Sequence, residues 1–570
     1  MNSAEQMKSR IRAMNGRGYP NYRDLKGEWQ FDGFVLSVDH VQSDPFASPS
    51  SLSVHIAKPN LPKHLYAHKV QRIALQDALL RMFGKGIAVR THGGFDSKTT
   101  GKVSCASCCQ EVLERSACTI DPNSGSLILC FNASFPARGR SILAVSMIDL
   151  VFRQIVSLVE RYLFYDHLSD DEKQYLQTVY ELSVDQQKIR EELEARHLVA
   201  FVSNGAILPR ESGSSDQPMK DAVPFVSAPG FEVELDLPYA GKMKGMAIPE
   251  GITLIVGGGY HGKSTLLEAL QAGVYDHIPF DGREYVITKS DAMKIRAEDG
   301  RSVHTENISS FVRNLPGGRS TEDFISEDAS GSTSQAANVM EALESGSRIL
   351  LMDEDTSATN FLIRDELMSE VVSSSQEPLI PYIARIRALA SKGISTILVA
   401  GSSGLYFHEA DHVILMDNYK PYGITHRAKE KAAAYPRPDY GHYPLLMPSP
   451  KRIAKSNHQL DQEKTKIKTI APYELMINRE RVDLRALEQL ADLQQAAAIG
   501  KMLVFAQKRG LIGKYTMEEL ANTLLELCDE KGLSIFGSGA LARPRRQELL
   551  GVLNHLRSQS FRFEKQAINE

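Results

Sequence analysis

Cysteine is scarce in this chain, with 6 among 570 residues, and tryptophan scarcer still, with one. That count excludes a disulfide-built scaffold and fits a reducing compartment. Also missing is any run of about 18 consecutive apolar residues, the length a membrane-crossing helix needs. The nearest approach, Ser146 to Tyr165, is broken by Asp149, Arg153, Glu160 and Arg161, so no membrane span is expected. Charge of one sign is lacking as well. The 66 basic and 70 acidic residues leave a formal −4, which argues against a general polyanion coat and confines nucleic-acid contact to local patches. The N-terminal stretch Met1 to Arg17 carries Lys8, Arg10, Arg12 and Arg17 without an apolar core. It reads as a solvated helix face, an organelle-type address or a basic helix for nucleic acid, rather than a secretory signal.

What is present begins with Gly257-Gly258-Gly259-Tyr260-His261-Gly262-Lys263-Ser264, set between the apolar run Ile252 to Val256 and the apolar-rich segment Thr265 to Leu270. A G-x-x-x-x-G-K-[ST] sequence between strand and helix is a phosphate cradle. Small residues let the backbone curl until successive N–H groups and the positive helix end converge on the anion, while Lys263 reaches the β- and γ-phosphates. Residues Gly257 through Thr265 are therefore the expected nucleotide-binding set, with Ser264 holding magnesium.

The length suits about three or four domains. Residues 1–200 read as a mixed α+β domain, with strands at Phe34 to Val38, Leu52 to Ile56 and Leu127 to Phe131 and a helix over Val70 to Phe83. Residues 220–430 alternate short apolar runs (Leu254 to Val256, Arg348 to Met352, Thr396 to Ala400, Val413 to Met416) with helical patterns, the rhythm of a parallel α/β sheet. Residues 431–470, with Pro436, Pro438, Pro444, Pro448, Pro450 and six basic residues from Lys451 to Lys468 that include Arg452, read as a linker. Residues 471–570 read as a helical C-terminal domain, strongly so from Tyr473 to Arg557. Cys105, Cys108, Cys109 and Cys118 lie close together. Without a second matching pair or histidines, reduced thiols in a helix fit better than zinc.

A phosphate loop needs a carboxylate from a neighbouring buried strand. Ile349-Leu350-Leu351-Met352-Asp353-Glu354 supplies two: Asp353 for magnesium, and Glu354 placed to polarise the attacking water as general base. Ala329-Ser330-Gly331-Ser332-Thr333-Ser334-Gln335 lies roughly two dozen residues earlier and opens the helical run Ala336 to Leu343. Its placement resembles the signature motif of ATP-binding-cassette ATPases, where a Ser-Gly turn at a helix N-terminus meets the γ-phosphate held by the other subunit. Ser330, Gly331 and Ser332 would thus act in trans, and Asp355, Thr356 and Ser357 resemble that class's D-loop.

The resemblance is narrower than the class. Gly257 to Ser264, Lys294-Ile295-Arg296-Ala297-Glu298-Asp299-Gly300-Arg301, Glu327 to Ser332, Asp353 to Asn360, and the flanking Asp39 to Phe46 and Ala542 to Arg546 are similar to the soluble "predicted ATPase of the ABC class" family. That family includes a subunit of a kinetoplastid mitochondrial RNA-binding complex that takes part in RNA editing. The resemblance implies an ABC-type P-loop ATPase core flanked by the two other domains, ATP and Mg2+ as ligands, and a homodimer bridged by ATP. It also implies binding of RNA and other RNA-processing proteins in the mitochondrial matrix, with a cytoplasmic home as the alternative.

Departures from the transporter pattern bear on activity. Gly401-Ser402-Ser403-Gly404 stands where transporters place a histidine, and no glutamine loop is evident. Hydrolysis is therefore expected to be slow, with a nucleotide-stabilised binding scaffold as the alternative. Arg296, Arg301 and Ser402 are candidate substitute phosphate contacts, Arg296 and Arg301 equally readable with Glu298 as a solvated ion-pair network. The span from Lys263 to Asp353, 90 residues (353 minus 263), is short for this class. The helical arm that grips transporter membrane subunits should be reduced. For RNA, Arg138, Arg140, Arg543, Arg545 and Arg546 are the candidate phosphate contacts, beside other basic residues such as Arg557, Arg562 and Lys565. A merely solvated surface is the competing reading of each cluster.

Overall fold

Along Leu127–Ser134 every second residue is buried, Leu127, Leu129, Phe131 and Ala133 turning inward. This period of two is what a sheet with one covered face requires. In the computed structural model, which describes residues 2–91, 97–364, 371–372, 376–437, 445–448, 451–471 and 473–564, that strand is central to an antiparallel sheet. It pairs with Ser50–Ile56 on one side and with Lys102–Ser104 and Cys118–Ile120 on the other. The sheet continues antiparallel through Val35–His40 and Gly27–Gln30, and Asn2–Ser3 joins its edge as a parallel strand. The helix Lys69–Thr91 sets Phe83 against Phe131 with ring centroids 5.7 Å apart. Expected linker prolines Pro438, Pro444 and Pro450, and Lys565, lie outside the described residues.

This sheet belongs to the first of two compact units, Met1–Val184 together with Gly537–Arg543. The distant segment is built in by backbone bonds: Ser116 N–H donates to the Leu541 carbonyl at 2.9 Å, and Arg543 N–H to the Glu114 carbonyl at 2.9 Å. The cysteine cluster corrects one expectation. Cys105, Cys108 and Cys109 lie in irregular chain after Lys102–Ser104, and Cys118 opens a strand, so none of the four is helical. All are free thiols, and burial pushes Cys105 up to about 11.

The second unit, Asp185–Phe536 with Pro544–Glu570, holds a six-stranded sheet. Its order is Ala292–Ile295, Ile349–Asp353, Ser395–Ala400, Ile252–Val256, His412–Asp417, Lys420–Gly423. The first five strands run parallel and the last is antiparallel. Every residue of Ile252–Val256, Ile349–Asp353 and Ser395–Ala400 is buried, as strands covered on both faces must be. Val256 pairs with Ala400 and Asp353 with Val399, so three loops leave the carboxyl edge side by side. Open α/β sheets bind ligands at that edge. Between Ala272 and Gly331 the chain forms strands, including the antiparallel pair Arg301–Glu306 and Phe324–Ala329, and no helical arm.

The C-terminal region begins differently from its helical expectation. Ile467–Ala471, Glu474–Ile477 and Glu480–Asp483 form a three-stranded meander, and only then follow the helices Leu493–Lys508, Met517–Lys531 and Arg546–His555. Asn478, with φ 56, makes the tight turn between the last two strands. Arg452, expected in the basic linker, is fully buried. It pairs with Glu306 at 2.9 Å and with Glu344, stacks over Phe561 at 4.8 Å, and sits in a strand paired with Phe561–Phe563.

Candidate nucleotide-binding site

The phosphate loop has the backbone its glycines predict. Gly257 adopts φ 148, and a Cβ there would lie 2.3 Å from the Met416 carbonyl oxygen, so only glycine fits. Gly262, at φ 93, caps the helix Lys263–Ala272. Tyr260 takes φ 63 without being glycine, a strained conformation of the kind found at functional sites, and its side chain stands exposed. His261 anchors the loop: Asn418 N–H donates to its Nδ1 at 2.9 Å, and Tyr419 N–H to its carbonyl at 3.2 Å. The Lys263 ammonium donates to the carbonyls of Gly257 (2.9 Å) and Gly258 (2.7 Å).

Ser264 and Asp353 meet directly, the hydroxyl donating to Asp353 Oδ2 at 3.1 Å. Two oxygen ligands side by side at a phosphate loop suit a hard cation such as magnesium. Glu354 follows Asp353, and its Oε2 accepts from the N–H of Gly401 at 2.6 Å and of Ser402 at 3.0 Å. The Ser402 hydroxyl donates to Glu354 Oε1. Partial burial pushes the Glu354 carboxyl up, but the Ser402 hydroxyl, these N–H groups and the nearby Lys263 charge outweigh it and hold it below its ordinary value.

Ser330 is the N-cap residue of the helix Gly331–Glu344 and is exposed, its hydroxyl within 3.1 Å of Thr333 Oγ1. The segment after Glu354 is stitched to this helix. Gln335 donates to Ser357 Oγ at 2.9 Å and accepts from Ala358 N–H at 2.8 Å, while Ser332 donates to Asn360 at 2.7 Å. Asp355 N–H and the Thr356 hydroxyl donate back to Asp353 at 3.1 and 3.3 Å. The helix that Ser330 caps, residues 355–360 and Asp353 are therefore one bonded assembly.

Three family models match the chain in series: "ATPase of the ABC class N-terminal" over residues 4–166, the ABC ATPase "P-loop domain" over 172–444, and the "MRB1590 C-terminal domain" over 466–562. The chain belongs to the ABC-class ATPase family. "Uncharacterized protein MJ1628" of Methanocaldococcus jannaschii is 28% identical to this ABC-class ATPase over 284 residues, which are 47% of this chain and 59% of that protein's length. Among solved structures, cbiO1 from Clostridium perfringens, part of the ABC transporter complex cbiONQ, matches 42% of this chain and 91% of its own. The identity there is 14% and the TM-score 0.26. A nucleotide-free ATP-binding cassette from an ABC transporter matches 42% and 96%, at 13% identity and a TM-score of 0.25. No helix among the described residues is long and apolar enough to cross a membrane.

The remaining candidate residues of the ABC-class ATPase fall into distinct settings. Arg296 pairs with Glu488 at 2.9 Å. Arg301 is buried and bound to Glu341 at 2.5 Å and to Asn338, which corrects its assignment as a phosphate contact. The charged loop is consequently not a solvated network, since Glu298, too, is largely buried. Arg138 and Arg140 are exposed. Arg543 pairs with Glu114 at 3.2 Å, and Arg546 donates to Asn522. Arg545 is withdrawn as an RNA contact: its guanidinium is held by Glu548 at 2.5 Å and by the carbonyls of Ser290 (2.6 Å) and Ala292 (2.9 Å). The anchoring by Gly401, His261 and Gln335 had no signal in the sequence, because each depends on backbone placement across the sheet.

Proposed function

We propose that this protein binds ATP with magnesium at Gly257 through Thr265 and hydrolyses it to ADP and phosphate as a homodimer, each subunit's Ser330–Ser332 turn completing its partner's site. Ser264 and Asp353 would hold the magnesium, which supplies charge neutralisation at the phosphates. Glu354 would take a proton from the attacking water, and its depressed carboxyl keeps it ionised for that role. Asp355, Thr356 and Ser357 would lie at the dimer contact. The reading rests most on one observation: Ser264 and Asp353 touch at 3.1 Å, with Glu354 next in sequence and bonded to the loop after the adjoining strand.

In this proposal nucleotide-driven closing and opening is coupled to RNA binding or RNA–protein remodelling, in mitochondrial RNA editing or processing. Support comes from the match to the MRB1590 C-terminal domain and from the exposed Arg138 and Arg140. The N-terminal, ATPase and C-terminal portions, read as 1–200, 220–430 and 471–570 with a linker over 431–470, would act as gripping and motor parts. A scaffold that holds ATP without turning it over is the second reading, favoured by Gly401-Ser402-Ser403-Gly404 standing where transporters place a histidine. Steady-state ATPase assays on wild type and Glu354→Gln, with dimer mass measured with and without ATP and magnesium, decide between them. Turnover abolished by Glu354→Gln with an ATP-stabilised dimer supports the motor; wild-type turnover no higher than that of Glu354→Gln leaves the scaffold.

A further inference from the structure

The loop Arg296–Gly300 leaves the edge strand Ala292–Ile295 and is bonded on its inner side to the signature helix and the D-loop. Ala297 N–H donates to the Thr356 carbonyl at 3.0 Å. Glu298 N–H donates to Ser334 Oγ at 2.9 Å, and that hydroxyl donates onward to the Gly331 carbonyl at 3.0 Å. The Asn338 amide donates to the Arg296 carbonyl (2.9 Å) and to Glu298 Oε1 (2.8 Å). The approach is so close that a Cβ on Gly331 would lie 3.1 Å from Asp299 Oδ1.

On its outer side the same loop is held by the C-terminal region. His555 meets the Glu298 carboxylate at 3.0 and 3.3 Å, Arg557 donates to the carbonyls of Gly300 (2.8 Å) and Glu327 (3.0 Å), and Glu488 takes Arg296. The His555 ring has an acceptor at each nitrogen, the Gly551 carbonyl lying 2.7 Å from Nδ1. Each ring nitrogen thus faces an oxygen that only accepts, which ties the imidazole to its own helix on one side and to Glu298 on the other. His555 and Glu298 side chains are 7% and 16% exposed, and removing one partner of such a pair leaves the other uncompensated. Burial drives the Glu298 carboxyl up, yet His555, through its charge and hydrogen bond, together with the Arg301 charge and the Asn338 hydrogen bond, more than reverses this and takes it down to about 2. The helix Arg546–His555 also packs on the signature helix itself.

We infer that His555 is a positioning residue for the signature turn: by holding Glu298 it fixes the loop to which Ser334 and the Gly331 carbonyl are bonded. The C-terminal region thereby sets the geometry of Ser330 and Gly331. This inference rests on the proposed role of that turn in the partner's site. Its consequence is that anything binding the C-terminal helices and loosening His555 slows turnover without touching the phosphate loop.

The test uses the full chain and three readouts: ATP affinity, which the phosphate loop dominates, dimer mass with ATP and magnesium, and turnover. His555→Ala should leave ATP affinity within about twofold while lowering turnover about tenfold and weakening the ATP-dependent dimer. His555→Gln, which keeps one donor, should recover most of the loss. In a Glu298→Gln background, His555→Ala should cost nothing further, because the route runs through Glu298. Wild-type turnover of His555→Ala, a parallel loss of ATP affinity, or independent losses from the two substitutions would overturn the inference. If His555→Ala does not fold, Glu298→Gln carries the test: reduced turnover at unchanged ATP affinity supports it, and unchanged turnover refutes it. Ser330→Arg separates this from the underlying reading. Full activity of Ser330→Arg removes the signature role itself, whereas an inactive Ser330→Arg beside a fully active His555→Ala removes only the coupling.

Discussion

Ser402 donates to Glu354 twice, from its backbone N–H at 3.0 Å and from its hydroxyl. In the loop after the Ser395–Ala400 strand a serine thus grips the carboxylate that would polarise water. Ser402→Ala should lower turnover by about ten- to a hundredfold, the effect of one charge-assisted hydrogen bond, with ATP affinity unchanged. Ser402→Thr should retain most activity. Turnover and Michaelis constant measured on all three proteins check this, and an unchanged turnover in Ser402→Ala removes the clamp from catalysis.

The phosphate loop offers a contrast between two neighbouring glycines. At Gly257 a methyl group would overlap the Met416 carbonyl, while at Gly259 it would meet nothing within 4 Å. Gly257→Ala should therefore destabilise the protein by about 1–3 kcal/mol and abolish nucleotide binding. Gly259→Ala should melt like the wild type. Thermal melts with nucleotide titration distinguish the two, and equal melting temperatures would contradict the crowding at Gly257.

Arg452 and Glu306 are buried, and Glu344 beside them is 11% exposed. Burial raises the Glu306 carboxyl well above its ordinary value even with Arg452 beside it. Arg452→Ala strips the guanidinium from the buried Glu306 and the largely covered Glu344 and should cost about 3–5 kcal/mol of stability. Arg452→Lys should not restore it, since a single ammonium cannot bridge the fork that Arg452 makes with both glutamates. Denaturant unfolding monitored by circular dichroism gives the answer, a loss below about 1 kcal/mol counting against the network.

Glu298 gives a pH signature with a definite sign. Its carboxyl lies at about 2 in the folded protein against an ordinary 4.5, so its stabilisation is present above the ordinary value and is lost as pH falls toward 2. The stability advantage of wild type over Glu298→Gln should shrink between pH about 5 and about 3. An advantage that stays constant over that interval would mean that the ion pair contributes nothing there.

For RNA, the exposed Arg138 and Arg140 and the internally bonded Arg545 should behave oppositely. The double substitution Arg138→Ala, Arg140→Ala should weaken binding to any RNA sequence and reduce the salt slope by about 2. Arg545→Ala should lower the melting temperature, because the guanidinium holds Glu548 and two backbone carbonyls. Filter binding at several salt concentrations supplies the slopes, and an unchanged slope in the double variant would move the RNA surface elsewhere.

The parallel sheet and its two acidic residues were legible because strands buried on both faces are continuous apolar runs, as Ile349 to Met352 is, and because the phosphate loop has a nearly invariant chemistry. What escaped were features decided by distance in sequence. Arg452 looks like linker charge until Glu306 and Glu344 are brought to it. Glu474–Ile477 and Glu480–Asp483 are too short and too polar to announce a meander, and their helical neighbours dominate any window drawn around them. The Ser402 clamp needed the pairing of Asp353 with Val399 to bring it beside Glu354.

The return of Gly537–Arg543 to the first unit has a practical consequence for anyone cutting the gene. Leu541 and Ala542 are buried there, and Ser116 exchanges bonds with Leu541 and Gly539. A fragment stopping near residue 200 would therefore strip residues 114–116 of their bonded neighbour. Adding the heptapeptide back, in trans or through a short tether, is the obvious remedy, and circular permutation is a better route to an isolated N-terminal piece than truncation.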